Sequence, residues 1–352
     1  MPNSRFAGLL GLMLIAQAQA ADYAWYPFPV ETGPLAVKNR PQQDYVPLTK
    51  AKRPWQICVS FPHLKDEYWL AVDYGVTDES RRLDLRLRLY EAGGYEDLEL
   101  QRQQLLDCVS QGAEAVVIGA ISYRGLNDLV ARFRQQGLPV IDLVNGMESS
   151  EASARSLVSF RRMGEVTGEY LVERHRDAKQ PVDIAWFPGP EKAGWVEAGD
   201  AGFRAALNGT ALRIVDTRYG DTGIADQTRL IEATLKAHPQ VKYLVGTAVT
   251  AEAATRVLRS RGLVGKIQVL AYYFNPGVYA GIRQGQILAA PSDAPVIQGR
   301  IAIDQAVRLL EGKPVLAIAS PKIRMLDKTG LENFDRLTSL APRGFRVTFS
   351  VN

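Results

Sequence analysis

Hydrophobic residues follow two alternating patterns along the chain from Trp55 onward. Short β-rich runs such as QICVS (56–60) and EAVVIG (114–119) alternate with longer stretches, such as 68–83 and 97–111, in which apolar residues recur at helical spacing. Strands that alternate with helices of about 10–15 residues are typical of right-handed βαβ units and parallel sheets. The pattern therefore predicts an α/β protein.

The same alternation restarts in the second half of the chain. The first half also contains predicted strands at 85–90 and 139–144 and a helix at 126–136. In the second half, strands are predicted at 182–189, 212–220, 241–246, 267–273 and 286–290, and helices at 163–176, 195–208, 224–237, 249–261, 276–284 and 296–311. More than eight such units over roughly 300 residues exceed what one doubly wound sheet usually holds, which favours two α/β lobes. A single TIM barrel would contain a similar number of βα units. The tail GKPVLAIASPKIRML after residue 311 adds no further βα unit, which argues against a barrel.

The N-terminal region has a different composition. Residues 1–20 contain Arg5, an apolar stretch and the sequence AQA at 18–20, the pattern of a cleaved signal peptide, so the mature chain is expected to begin near Ala21 and to be exported. An uncleaved anchor is the alternative, disfavoured by the cleavage-site residues. Residues 21–54 are rich in proline and lack a sustained period, which predicts an extended surface segment or partial disorder.

Composition and charge narrow the class of protein. Lysine and arginine are scattered among acidic residues, for a net charge of +4. The sequence contains no polybasic stripe of the kind that binds nucleic acid, so this class of partner is disfavoured. Cys58 and Cys108 are the only two cysteines. In an oxidising compartment such a pair is a plausible disulfide, but two separate buried thiols are an equally good interpretation.

Motifs of catalysis are largely missing. GPEKAGW (189–195) has tryptophan where a phosphate-binding loop needs lysine, and the three histidines form no cluster with metal-ligand spacing, so no cofactor is predicted. His63 lies near Asp66 and Glu67 in the loop after the first strand, where it could act as a general base. A solvated loop histidine, or one that bonds a nearby carboxylate, is the favoured interpretation, since no nucleophile stands beside it.

Aromatic residues stand just beyond the ends of three predicted strands. Tyr68 and Trp69 follow the first strand, Tyr95 the second, and Tyr273 ends IQVLAYY, whereas Phe160 lies where the second lobe would begin. Ligands of open α/β sheets bind beyond the carboxyl ends of the strands. Rings brought together there would suit a small methylated cation or the apolar face of a sugar. Tyr272 and Trp186 are predicted to be core residues.

Several segments resemble one family of known proteins. LKDEYW, EAGGY, CVSQGAEAVVIGA, PGPEKAGW and VYAGIRQGQILAAPSD together are similar to the TorT-type periplasmic binding proteins, which detect trimethylamine N-oxide (TMAO) and work with a TorS-type sensor kinase. The resemblance runs from about Lys50 to the C-terminus. LKDEYW combined with EAGGY is its most specific part.

The resemblance implies a type I periplasmic-binding-protein fold, with two Rossmann-like lobes and three crossovers near residues 145, 271 and 292. Lobe I would comprise 55–144 and 271–292, and lobe II 145–270 and 293–345. The ligand-binding positions carried over are Tyr68, Trp69, Tyr95 and Tyr273, with Asp66 as a nearby polar group. Phe160 stands where the family pattern has a tryptophan, so one face of the predicted cage is smaller and lacks an N–H donor.

The leading hypothesis is a periplasmic, non-catalytic sensor that binds TMAO between its lobes and signals to the periplasmic domain of a TorS-type kinase, without inserting into the membrane. A sugar or small-solute receptor of an ABC transporter is the first alternative, although the quoted loops offer chiefly aromatic side chains. An exported enzyme that uses His63 with Asp66 or Glu67 is the second.

Overall fold

A computed structural model of the chain describes residues 27–37, 39–191 and 193–352. The predicted signal peptide and its cleavage near Ala21 lie outside these residues. Within them, no helix combines the length and the apolar character needed to cross a membrane.

Fifteen strands, nine α-helices and one short 3₁₀ helix alternate along the described part of the chain. The strands are β1 (Phe28–Glu31), β2 (Gln42–Tyr45), β3 (Gln56–Phe61), β4 (Arg86–Glu91), β5 (Ala115–Ile118), β6 (Val140–Leu143), β7 (Ala154–Ser156), β8 (Val182–Phe187), β9 (Leu212–Thr217), β10 (Tyr243–Gly246), β11 (Gln268–Ala271), β12 (Ala289–Ser292), β13 (Ile318–Pro321), β14 (Arg324–Asp327) and β15 (Ser350–Val351). The helices are α1 (Glu67–Arg82), α2 (Leu98–Ser110), α3 (Asn127–Gln135), α4 (Phe160–Arg174), α5 (Gly194–Leu207), α6 (Ile224–Ala237), α7 (Ala248–Ser260), α8 (Pro276–Arg283) and α9 (Pro295–Leu310), with the 3₁₀ turn at Arg336–Thr338.

These elements form two lobes, each built on its own sheet. Lobe I contains a nine-stranded sheet in the order β15-β4-β3-β5-β6-β7-β13-β1-β2, in which β4 to β13 run parallel. Lobe II contains the parallel four-stranded sheet β11-β10-β8-β9, beside which β12 and β14 pair antiparallel. Two open sheets exclude the TIM barrel and confirm the type I periplasmic-binding-protein fold.

The predicted lobe boundaries are wrong in three places. β7 pairs in parallel with β6, which keeps residues 154–156 in lobe I and moves the first crossover from 145 to the segment before Phe160. The segment 271–292 belongs to lobe II, because α8 packs on α7 and β12 lies beside β11. The segment from 293 through β13 does not form part of lobe II as predicted, because α9 packs along α1 and β13 pairs with β7 of lobe I.

The remaining crossovers follow from these contacts. The chain returns to lobe I between β12 and α9, and it passes back to lobe II between β13 and β14. The tail then recrosses the hinge, and β15 pairs antiparallel with β4 in lobe I. Helix α9 follows a strand of lobe II but packs in lobe I, so local periodicity alone cannot show to which lobe it belongs.

The proline-rich N-terminal segment is more regular than predicted where the structure describes it. β1 and β2 form an antiparallel pair, and β1 extends the lobe I sheet by pairing with β13. Tyr45 of β2 is buried, and its hydroxyl donates to Asp304 of α9 at 2.6 Å. The segment is therefore fixed to lobe I.

A disulfide joins Cys58 of β3 to Cys108 of α2, which settles the question that the sequence left open. Both residues lie in an apolar cluster between the lobe I sheet and the helices α2 and α3, together with Leu105 and Val116. The bond therefore ties one outer helix of lobe I to the strand whose carboxyl end leads to Asp66.

Candidate functional site

A small cavity lies between the two lobes, beyond the carboxyl ends of their parallel strands. The centre of a water-sized sphere can occupy about 20 Å³ of it. A single water needs about 10–15 Å³ by the same measure, so the enclosed space suits one small, compact molecule. It is lined from lobe I by His63, Asp66, Tyr68, Trp69, Tyr95, Val144 and Asn145, and from lobe II by Phe160, Trp195, Thr222 and Tyr273.

The first turn of α1 supplies most of the lobe I wall. Asp66 is the N-cap of this helix, and its carboxylate accepts from the backbone N–H of Tyr68 at 3.0 Å. This cap fixes where the helix begins and so places Tyr68 and Trp69 side by side at the sheet edge. Trp69 packs on Phe61 with ring centroids 4.9 Å apart, and a Cβ at Gly119 would overlap its indole. The indole of Trp69 can therefore lie against the end of strand β5 only because residue 119 is glycine.

Tyr95 and Asn145 complete the lobe I wall from the loops after β4 and β6. The amide of Asn145 donates to the Tyr95 hydroxyl at 3.1 Å and to the carbonyl of Ala120 at 2.7 Å. The residue before it, Val144, has a φ of +64°, which a β-branched residue rarely adopts. Strained backbone of this kind is found preferentially at binding sites. Here it turns the chain so that Asn145 faces the cavity.

Two helices that pack unusually closely supply the lobe II wall. Phe160 is the first residue of α4, and Trp195 lies in the first turn of α5. A Cβ at Gly164 would overlap the carbonyl oxygen of Gly199, so glycines at this crossing let the two backbones touch. The rings of Phe160 and Trp195 are consequently 5.7 Å apart between centroids, across the mouth of the same lobe.

Six rings enclose the cavity, and the name aromatic cage is used below for Tyr68, Trp69, Tyr95, Phe160, Trp195 and Tyr273. Rings from the two lobes meet at two places: Tyr68 and Tyr273 pack edge to face at 5.4 Å, and Tyr95 and Trp195 lie 6.2 Å apart between ring centroids. Tyr272 stands behind the cage, stacked on Trp195 at 6.1 Å, and Trp186 lies in the core against Phe203. Both therefore have the core positions predicted for them.

Two buried carboxylates adjoin the cage. Asp66 accepts a hydrogen bond from the Tyr273 hydroxyl, and Asp293 accepts one from the Tyr68 hydroxyl at 2.7 Å. Burial raises the pKa of both carboxyls, against the opposing effect of those hydrogen bonds. Within the described residues neither carboxylate forms an ion pair with lysine or arginine. A buried negative charge without a counter-ion is costly, so this side of the cavity favours a ligand that carries positive charge.

His63 is a cavity residue, which corrects the interpretation of it as a solvated loop histidine. Its side chain is only 1 % exposed and packs edge to face on Tyr95 at 5.4 Å. The Nε2 atom lies 3.4 Å from the hydroxyl of Thr222, and Nδ1 has no hydrogen-bond partner in the described part of the chain. Burial and the nearby Lys65 lower the pKa of His63 to about 4, whereas Asp221 opposes that shift. The imidazole is therefore neutral at neutral pH.

Several polar contacts across the cavity hold the lobes together. Lys65 in lobe I forms an ion pair with Asp221 in lobe II at 2.5 Å. His63 meets Thr222 next to that pair, and Tyr273 reaches across to Asp66. The structure thus has the closed arrangement of the lobes, with the cavity shielded on the side of these loops.

The structure brings all six predicted ligand-binding residues to one place. Tyr68, Trp69, Tyr95, Phe160, Tyr273 and Asp66 all line the cavity, although their role in binding stays a prediction. Sequence reasoning missed Trp195, Asn145, Thr222 and Asp293. Trp195 carried the same signal as Tyr68 and Trp69, since it follows a strand and a glycine-containing loop at the start of a helix.

Comparisons with known proteins agree with this architecture. Residues 57–314 match the family model of the periplasmic binding protein domain. The periplasmic protein TorT of Escherichia coli K12 is 37 % identical over 302 residues, which cover 85 % of this chain and 86 % of TorT.

Two crystal structures are similar over most of the chain. An ABC transporter solute-binding protein from Bradyrhizobium sp. BTAi1 with bound Bis-Tris shares 49 % identity at a TM-score of 0.80, covering 92 % of this chain and 98 % of that one. The complex of the TorS sensor domain with TorT in the presence of TMAO shares 33 % identity at a TM-score of 0.78, covering 84 % and 99 %. The chain therefore belongs to the periplasmic binding protein family, within which it is TorT-like.

Proposed function

We propose that the chain is a periplasmic, non-catalytic sensor that binds a small methylated amine, TMAO foremost, between its lobes and passes the bound state to a TorS-type sensor kinase. The aromatic cage carries this proposal, because both lobes contribute rings and a buried carboxylate adjoins them. Faces of tyrosine and tryptophan attract methylated nitrogen cations, and the attraction strengthens when water is excluded.

Signalling requires that the ligand bind one arrangement of the lobes better than another. The cage offers a reason for such a preference, since Phe160, Trp195 and Tyr273 reach the ligand only when lobe II closes on lobe I. The ligand would then stabilise the closed form, and a partner that contacts both lobes would detect it. The relationship to the TorS–TorT complex supports a kinase as that partner.

Calorimetry on the mature protein tests the proposal. TMAO, trimethylamine, glycine betaine and ribose are titrated into wild type and Trp69→Ala, in a buffer free of Bis-Tris and other tertiary amines. Saturable binding of TMAO that the alanine variant loses supports the cage. The titration is repeated with the sensor domain of a TorS-type kinase, and an affinity that changes with this domain supports signalling.

A receptor for uptake is the second candidate, favoured by the similarity to the Bradyrhizobium solute-binding protein. Its bound Bis-Tris is a tertiary amine that carries hydroxyl groups, so a cage of this kind could accept larger hydroxylated amines than TMAO. Tight binding of such an amine, together with an affinity that the kinase sensor domain leaves unchanged, would favour uptake. Ribose binding would move the chain to sugar receptors.

A further inference from the structure

Most tyrosine hydroxyls around the cavity already donate their protons to the protein. Tyr68 donates to Asp293, Tyr273 to Asp66, and Tyr272 to the backbone carbonyl of Trp195 at 3.1 Å. A hydroxyl has one proton, so these three cannot also donate to a ligand without breaking a buried hydrogen bond. The carboxylate side of the cavity is therefore poor in free donors.

Other buried polar groups of the cavity lining are still unsatisfied. Trp195 is 5 % exposed, and its Nε1–H interacts with the Tyr95 hydroxyl but has no acceptor at full hydrogen-bond geometry within the described residues. Nδ1 of His63 is also buried and has no hydrogen-bond partner in the described part of the chain. Tyr95 accepts from Asn145 and lies 6.2 Å from Trp195 and 5.4 Å from His63 between ring centroids. Buried donors are rarely left unpaired in folded proteins, so these groups point to an absent acceptor.

Each unsatisfied group has a definite chemical capacity. The indole N–H can only donate. A neutral imidazole has one donor and one acceptor, and the contact between Nε2 and the Thr222 hydroxyl decides which is which. If Thr222 donates to Nε2, the proton is on Nδ1, which then becomes a second donor facing the cavity. Phe160, beside Trp195, contributes a ring and no donor.

We propose that Trp195 and His63 recognise an oxygen atom of the ligand, so that the site selects a methylated nitrogen that carries an oxygen acceptor over one that carries only methyl groups. This inference rests on the proposed function and assigns a direction to the ligand. The oxygen lies toward Trp195, His63 and Tyr95, and the methyl groups lie toward Asp66, Tyr68 and Tyr273. An amine N-oxide has this polarity, whereas tetramethylammonium has the same compact shape and no oxygen.

Calorimetry with two ligands of matched size tests the inference. TMAO and tetramethylammonium chloride are titrated into wild type, Trp195→Phe, His63→Leu and the control Trp55→Phe. Trp195→Phe keeps a ring but loses the N–H, so its affinity for TMAO is expected to fall about tenfold more than its affinity for tetramethylammonium, which reports the change of ring alone. His63→Leu should behave in the same way. Trp55 donates its indole N–H to Glu311 outside the cavity, so Trp55→Phe should change neither affinity.

The two ligands keep the outcomes separate. Binding of tetramethylammonium shows that a variant is folded with an intact cage, whatever happens to TMAO. Equal losses for both ligands would mean that Trp195 acts only through its ring and would overturn the inference. Unchanged affinity of Trp195→Phe for TMAO would overturn it as well. If wild type binds neither ligand, the proposed ligand class itself is wrong, and the inference falls with it.

Discussion

The two walls of the cavity are built differently, although they face the same space. The lobe I wall comes largely from one continuous segment, His63 to Trp69, and contains the buried carboxylate of Asp66. The lobe II wall collects Phe160, Trp195, Thr222 and Tyr273 from four separate elements and contains no carboxylate. Lobe I therefore contributes the carboxylate of the site from one continuous segment, and lobe II contributes rings and N–H donors from separate elements.

The lobes also differ in covalent reinforcement. The disulfide lies wholly within lobe I, where it closes a loop of 50 residues. Replacing both cysteines, in Cys58→Ala/Cys108→Ala, is expected to lower the free energy of unfolding of lobe I by about 4 kcal/mol through the gain in unfolded-chain entropy. Hydrogen exchange followed by mass spectrometry should show lost protection in lobe I strands and unchanged protection in β8 to β11.

Reducing agent serves as the control for that prediction. It should reproduce the effect in wild type and do nothing further to the double variant. Equal loss of protection in both lobes would show that they unfold as one unit. The lobes would then differ in how they build the cavity walls but not in stability.

The sequence predicted the lobe I wall better than the lobe II wall for the same physical reason. Asp66, Tyr68 and Trp69 are neighbours in the chain, so one helix start after one strand places them together. Trp195 and Thr222 reach the cavity only through the packing of α5 and the loop after β9, which periodicity does not describe. Most strands and helices were predicted within a few residues, but α4 begins at Phe160 and not at 163.

Long-range pairing explains the remaining errors. β7, with three residues, is too short to produce a periodic signal and is held in lobe I by pairing with β6 and β13. The assignment of α9 to lobe I depends on its packing against α1, where a Cβ at Gly75 would overlap the carbonyl of Val296. Whether Cys58 and Cys108 meet likewise depends on how α2 packs on β3.

Removing the charge of Asp66 should affect cation binding strongly. Asp66→Asn keeps a good N-cap, since asparagine caps helices as well as aspartate does. The affinity for tetramethylammonium is expected to fall about 30-fold or more, because a buried charge partner is lost, and the affinity for TMAO, which has no net charge, should fall less. Calorimetry measures both values.

Asp97→Asn is the matched control, because Asp97 caps α2 and accepts from Leu100 outside the cavity. It should leave both affinities unchanged. Wild-type affinity for tetramethylammonium in Asp66→Asn would show that the rings alone hold the cation and that the two walls contribute in the same way.

Acid should weaken binding through His63. Closure lowers the pKa of His63 to about 4, from the value near 6.5 expected when the lobes open. The closed form then binds fewer protons than the open form between these values, so closure is fully available above pH 6.5 and is opposed as the pH falls. The affinity for tetramethylammonium, whose charge is independent of pH, is expected to fall about tenfold from pH 7.5 to pH 5.5.

His63→Leu separates this effect from the carboxylates. Burial raises the pKa of Asp66 and Asp293, and protonating Asp66 removes the charge that attracts the cation, so any contribution of the carboxylates to the decline remains in this variant. The variant should therefore lose the decline in affinity and retain only the contribution of the carboxylates. A decline of unchanged size in His63→Leu would mean that another group controls the acid response.

The smallest expected effect concerns the ion pair between Lys65 and Asp221, which joins the two walls at their rim. Its side chains are 39 % and 28 % exposed, so Lys65→Gln should cost only about 0.2–1 kcal/mol of closure, at most about fivefold in affinity. The loss should vanish at high salt. Arg102→Gln, which removes an ion pair with Asp128 inside lobe I, should have no effect on affinity.

Because the charge of Lys65 also helps to lower the pKa of His63, its removal should let the acid-induced loss of affinity level off at a higher pH. If Lys65→Gln changes the salt dependence of the affinity but not the pH at which the acid-induced loss levels off, the ion pair holds the lobes together without influencing the pKa of His63.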